Sequence, residues 1–310
     1  MPRLRLVFAG TPTAAVPSLE RLAASGHELV GVVTRPDAPV GRRRVLTPSP
    51  VAEAAERLGI ETLKTARLDA AATERIAAWR PDLGVIVAYG GLVREPLLSL
   101  PPHGWINLHF SLLPAWRGAA PVQHALIAGD RVTGAAVFRL VPELDAGAVY
   151  GVIERPSGEA TAGELLERLA GDGAELLAEV VDAVADGTAT ARPQEGEPSF
   201  APKLGIDDGR LDWSASAART LDRYRGTTPE PGAWTTVGGE RLKVLELRAP
   251  GETGERADAG SPGRAVLDGR RALVATGDGP LELVRVQPAG KGAMAAADWL
   301  RGRGGTAELV

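Results

Sequence analysis

Short apolar runs alternate with amphipathic segments over residues 4–186. Residues 4–9, 29–33 and 82–88 have the length and apolar content of parallel strands whose two faces are both covered. Residues 14–24, 51–58 and 68–79 between them read as helices. Residues 105–109 form a further strand, 121–128 a helix, and 133–141 and 148–153 two strands around the turn 142–147. Residues 161–186 predict a long amphipathic helix that closes the domain. This order of elements predicts a Rossmann-like α/β unit.

The pattern then changes. Residues 188–205 carry three prolines and few large apolar side chains, which predicts a linker between a domain over 1–187 and another over 206–310. Beyond it, a helix over 214–224 precedes short runs at 233–237, 241–248, 263–268, 272–276 and 281–286, with a last helix over 293–300. Evenly spaced short strands predict a small antiparallel barrel.

One stretch fits neither pattern. Residues 34–50 hold four prolines, which argue against regular structure, and set Arg35, Arg42, Arg43 and Arg44 against the single acid Asp37. A long loop directly after a strand favours function over a merely solvated basic loop. The function that suits it is a flexible arm that neutralises phosphates.

Composition narrows the classes. Apolar residues make up 44% and charged residues 24%, as in ordinary globular chains. The net charge of −4 leaves no global basic field, so any contact with a polyanion must be local. With 0 cysteines, disulfides, thiolate metal sites and a cysteine nucleophile are all excluded. The absence of a signal peptide or a membrane-length apolar run predicts a cytoplasmic protein.

The candidate chemistry centres on residues 107–121, NLHFSLLPAWRGAAP. On a strand, Asn107 and His109 share a face. An asparagine amide donates a hydrogen bond without needing a charge, so it suits a developing oxyanion. A histidine moves protons near neutral pH. Asp145, in the turn over 142–147, would orient His109 and favour its charged form. That set suits transfer of a carbonyl-type group to an amine. Ser111 lacks a nucleophile elbow, and only Gly10 stands where a dinucleotide fingerprint needs three glycines, which weakens an oxidoreductase. His103, His109 and His124 fall on different elements, so no metal site is expected.

Residues 107–114 followed by Trp116-Arg117-Gly118-Ala119-Ala120-Pro121 closely resemble the signature of the folate-dependent formyltransferases. The longer match is to the methionyl-tRNA formyltransferase family. It takes in residues 8–12, 47–51, 87–90, 133–134 and 144–147, and in the second half 212–214 and 287–291. The resemblance implies a Rossmann-like catalytic domain with a C-terminal OB-fold-like barrel that contacts tRNA. It implies transfer of formyl from 10-formyltetrahydrofolate, as donor co-substrate and without a metal, to the α-amino group of initiator methionyl-tRNA. By residue match it makes Asn107, His109 and Asp145 catalytic. Ser111, Leu112, Leu113 and Pro114 match the folate-binding segment, with Tyr89 and Gly90 lining the same pocket. The loop with Arg35, Arg42, Arg43 and Arg44 matches the segment that enters the acceptor arm. No membrane partner and a monomer are expected. One departure stands out: the family usually has a bulky apolar residue where this chain has Gly91. Formyltransferases acting on a sugar or ribonucleotide amine would share the three catalytic residues without needing the basic loop, and a non-catalytic RNA-binding protein could keep the barrel.

Overall fold

The computed structural model of the chain describes residues 2–41, 44–250 and 260–310. It divides into two compact units: Met1–Pro121, Val132–Pro156 and Leu166–Pro202 form the first, and Val122–Arg131, Ser157–Leu165 and Lys203–Val310 the second.

The strands of the first unit are β1 (Arg5–Gly10), β2 (Glu28–Thr34), β3 (Ala38–Val40), β4 (Val45–Thr47), β5 (Thr62–Lys64), β6 (Leu83–Val87), β7 (Trp105–His109), β8 (Arg117–Gly118), β9 (Val132–Arg139), β10 (Val149–Pro156) and β11 (Phe200–Ala201). Its main sheet has the order β10-β9-β7-β6-β1-β2-β5. Pairing is parallel from β5 to β7, and β9 and β10 then run antiparallel at the other edge. Helices α1 (Val16–Ala23), α2 (Pro50–Arg57) and α3 (Ala70–Ala78) link the parallel strands. Ser49 and Asp69 cap α2 and α3, accepting from Ala52 N and Ala72 N at 3.0 Å. Leu6, Val7, Phe8 and Ala9 on β1 and the whole of β6 are buried, as the uninterrupted apolar runs require. The strand order turns outward on both sides of β1, so the carboxyl ends of β1, β6 and β7 lie side by side and frame the crevice where such sheets bind ligands.

Gly84 on β6 lies opposite Trp105 on β7, and the indole covers it; a Cβ at Gly84 would overlap the ring. Trp105 Nε1 also donates to Leu97 O at 2.9 Å, so the ring is held from its far side. Gly84→Ala is expected to cost about 1–3 kcal/mol of stability through overpacking, read from the midpoint of urea unfolding. An unmoved midpoint would contradict this packing.

Two parts of the unit differ from the sequence pattern. Residues 34–50 contain regular structure: β3 and β4 form an antiparallel hairpin with Pro39 opposite Leu46. A two-stranded ribbon is all edge, and an edge tolerates a residue without an N–H. Val40, Val45 and Leu46 on it are exposed. The segment over 188–202 is stitched to the first unit. Arg192 and Val149 exchange backbone hydrogen bonds of 2.9 and 2.8 Å, and β11 pairs in parallel with β8.

In the second unit, helices α4 (Pro121–Ala128, from Val122 onward) and α6 (Ala217–Thr227) accompany a sheet, while α5 (Ala162–Ala185) has its first turn in this unit and the rest in the other. The sheet comprises β12 (Trp234–Val237), β13 (Glu240–Arg248), β14 (Arg264–Asp268), β15 (Arg271–Ala275), β16 (Pro280–Pro288), β17 (Met294–Ala295) and β18 (Thr306–Glu308), followed or interleaved by α7 (Ala296–Arg301). Its order is β12-β13-β16-β15-β14-β18, with β17 on β16. Just past β18, Val310 exchanges two 2.9 Å backbone hydrogen bonds with Thr236 on β12, so the last residue meets the first strand and the sheet curls into a barrel. Leu242, Val244, Leu283, Val286 and Trp299 fill its core. The Rossmann-like sheet and the antiparallel barrel are those the sequence pattern predicts. Among the described residues no helix is long and apolar enough to cross a membrane.

Candidate active site

Asn107 and His109 share a face at the carboxyl end of β7, opposite Phe138 and Ala136 of β9. The buried imidazole of His109 is fixed on two sides. Its Nε2 lies 2.9 Å from Trp116 O, and the ring meets Phe138 edge-on at 6.3 Å between centroids. A carbonyl only accepts, so Nε2 carries the hydrogen and Nδ1 is the nitrogen free to exchange a proton. Nδ1 lies 3.9 Å from Asp145 Oδ2. That is too long for a direct hydrogen bond and close enough for a strong charge interaction. The same Oδ2 accepts from Gly118 N at 2.8 Å. Asp145 adopts a φ of 47°, a left-handed conformation that costs a non-glycine residue ~1–2 kcal/mol.

The sequence reading had Asp145 favour the charged form of His109. In the structure burial dominates and pushes the imidazole pKa below its ordinary value, while Asp145 and Trp116 O act in the opposite sense. His109 therefore rests neutral near pH 7, with Asp145 placed to stabilise the charge once a proton arrives. An NMR titration of His109 is expected to give a midpoint below the ~6.5 of free histidine. Asp145→Asn should lower it further, since it removes a charge that raises it; a midpoint above the free value would contradict this.

The Asn107 carboxamide is half-buried and has no hydrogen-bond partner among the described residues, so its donors remain available to a ligand. Ser111 Oγ, fully buried, donates to Ala115 O at 2.6 Å and so shapes its own loop. Leu112, Leu113 and Pro114 are half-buried. Past β6, Tyr89 is buried with its carbonyl accepting from Thr11 Oγ1 at 3.0 Å, and burial pushes its phenol pKa up. Gly90 is exposed at a φ of 77°, where a side chain would be strained. A Cβ at Gly91 would come within 2.5 Å of Tyr89 Cε1, so the phenol ring occupies the space that a residue there would need. Of the basic loop, Arg35 donates to Ala66 O at 2.5 Å and Arg44 is exposed. Arg42 and Arg43 lie outside the described residues. The structure thus brings His109 and Asp145 together beside Asn107, with Tyr89 and Gly90 at the end of the neighbouring strand.

Sequence reasoning missed the chain that holds this site. Trp116 N donates to Ser199 Oγ at 2.9 Å. Gln194 Nε2 donates to Asp145 O at 2.7 Å and to Gly147 O at 2.9 Å. Arg117 Nη2 and Nε in turn donate to Gln194 Oε1, at 2.6 and 3.2 Å. A cleft of about 510 Å³ is lined by Leu113, Val149–Val152, Arg192 and Gln194, and by none of Asn107, His109 and Asp145. A glutamine in a Pro-rich polar stretch carries no local signal of such contacts. Among the described residues no group of His, Asp and Glu side chains could hold a metal ion.

The formyl transferase family model matches residues 4–181, and the formyl transferase C-terminal domain model matches residues 203–304. A methionyl-tRNA formyltransferase of Leifsonia xyli subsp. xyli is 62% identical over 307 residues, covering 99% of this chain and 100% of the relative. The chain belongs to the methionyl-tRNA formyltransferase family. Two solved structures extend the likeness beyond the family at the level of fold. HypX from Aquifex aeolicus in complex with tetrahydrofolic acid aligns with a TM-score of 0.62 at 18% identity, over 96% of this chain and 47% of that one. The N-formyltransferase of Helicobacter canadensis, in complex with folinic acid and dTDP-3-aminofucose, aligns at 0.65 and 16%, over 92% and 99%. The family's two regions match the Rossmann-like sheet and the OB-fold-like barrel.

Proposed function

We propose that this chain transfers a formyl group from 10-formyltetrahydrofolate to the α-amino group of methionine on initiator tRNA, with Asn107, His109 and Asp145 as its catalytic residues. The observation that carries the site is the buried His109 ring, pinned through Nε2 with Nδ1 3.9 Å from Asp145. The nucleic-acid substrate follows from membership of the family, whose curated relatives carry that activity in their names.

The donor supplies the formyl carbonyl. The neutral amine bonds to the formyl carbon, the bond to the folate nitrogen breaks, and one proton passes from the amine to that nitrogen. The Asn107 carboxamide donates a hydrogen bond to the oxygen where negative charge develops. His109, neutral at rest, takes the amine proton at Nδ1, directly or through water. The imidazolium so formed also stabilises the developing charge. Asp145 holds that cation and helps relay the proton onward. The Leu112–Pro114 segment would give a flat pteridine a half-buried apolar wall, and the backbone of Tyr89 and Gly90 past β6 would allow its close approach. Arg35, Arg42, Arg43 and Arg44 neutralise phosphates of the acceptor arm. Residues 1–187 form the catalytic domain, 188–205 the connection, and 206–310 the tRNA-contacting barrel, acting as a cytoplasmic monomer.

The test offers the purified protein 10-formyltetrahydrofolate with either methionyl-tRNA or a nucleotide-linked amino sugar. Formylation of the tRNA-borne methionine alone is expected. Preferential formylation of the sugar amine would overturn the reading.

A further inference from the structure

We propose that Gln194 is a positioning residue for this reaction, bolting the 145–147 turn to the 116–118 loop so that Asp145 faces His109. The inference rests on the roles given above to Asp145 and His109. These two short backbone stretches supply the polar contacts that define the pair. The first carries the Asp145 carboxylate. The second supplies Trp116 O to His109 Nε2 and Gly118 N to Asp145 Oδ2. Besides the Gly118–Asp145 bond, one side chain joins them. Gln194 gives both amide hydrogens to the turn, at Asp145 O and Gly147 O, and its oxygen receives Arg117 from the loop.

The chemistry of that junction selects a carboxamide. Two carbonyls need donors and a guanidinium needs an acceptor, and an amide carries both on one planar fork. A glutamate would keep Arg117 on one oxygen but press the other towards two carbonyl oxygens. The bolt also has something to resist. Asp145 sits in the left-handed region, and the rest of its turn is held by Ala146 N on Glu143 O at 3.4 Å and by Arg139 N on Ala148 O at 2.9 Å. Without Gln194 the backbone at Asp145 is free to relax, and the carboxylate to swing from the ring.

Gln194 is separable from the fold around it. The segment that carries it remains anchored by the Arg192–Val149 pair, by Ser199 on Trp116 N and by the β8–β11 ladder. Its hydrogen bonds run to Asp145 O, Gly147 O and Arg117 and to neither reacting group, so its effect on the reaction passes through the placement of the turn and the loop.

The experiment compares Gln194→Ala and Gln194→Glu in the wild-type and Asp145→Asn backgrounds. Both substitutions are expected to lower kcat for methionyl-tRNA about tenfold with KM unchanged, as misplacement of a reacting group does. In the Asp145→Asn background they should add about twofold or less, because the group they position is gone. The NMR midpoint of His109 in Gln194→Ala should move down, towards that of Asp145→Asn. Equal losses in the two backgrounds, wild-type kcat in Gln194→Glu, or an unmoved His109 midpoint in Gln194→Ala would each overturn the proposal. The titration needs no turnover. A wild-type protein that leaves methionyl-tRNA unformylated would therefore count against the functional reading while the Gln194 result stays readable.

Discussion

His109→Ala is expected to lose at least ~100-fold in the rate of formyl transfer while remaining folded. Attack by the amine leaves a proton that the nitrogen must shed before the folate nitrogen can leave. In the proposed mechanism that proton goes to Nδ1, which is held in place because Nε2 is committed to Trp116 O. The ring is neutral at rest, and a charged ring could not accept. In the alanine variant only water remains, unpositioned and a weaker base. Asn107→Ala should lose a comparable factor for another reason: it removes the amide proposed to donate to the developing oxyanion, and single donors of that kind are worth ~100-fold or more. Stopped-flow or quenched measurement of formylmethionine, with circular dichroism and a melting curve on the same samples, separates lost chemistry from lost fold. Near wild-type turnover in folded His109→Ala would remove His109 from the mechanism.

The second large effect concerns affinity. Replacing Arg42, Arg43 and Arg44 together by Ala should weaken methionyl-tRNA binding and flatten its salt dependence. Each phosphate contact contributes roughly 0.7–0.9 to the slope of log K against log salt, so losing three should reduce it by about 2. Between 50 and 200 mM salt the wild-type protein should then lose about 15-fold more affinity than the variant. Binding of the folate donor should stay as it was. A protein whose acceptor is a small amine would show neither change.

How much of this was legible along the chain depended on the range of the interactions. Residues 4–9 and 82–88 announced buried parallel strands because burial on both faces forces uninterrupted apolar runs, and the structure places β1 and β6 there. The strand over 105–109 was equally plain, and its alternation put Asn107 and His109 on one face. The hairpin of β3 and β4 was hidden by its prolines, since the rule against proline in ladders fails at an edge such as Pro39. The contacts of Gln194 were hidden for a different reason. Its partners Arg117 and Asp145 lie 77 and 49 residues away, and no local pattern encodes a pairing at such range. Asp145 does favour the charged form of His109, as its sequence position suggested, but the depth of burial that outweighs it is not written in the sequence.

The proposed mechanism turns on one event, passage of the amine proton through the buried imidazole at 109 as formyl moves to tRNA-borne methionine. It is tested most directly by a single-turnover reaction of enzyme, methionyl-tRNA and 10-formyltetrahydrofolate, run side by side with wild type and His109→Ala. Mass analysis of the esterified amino acid is the readout. Wild type should convert the amine to its formamide while the variant, in the same interval, leaves it essentially unchanged. Equal conversion by both, or none by wild type, would contradict the account.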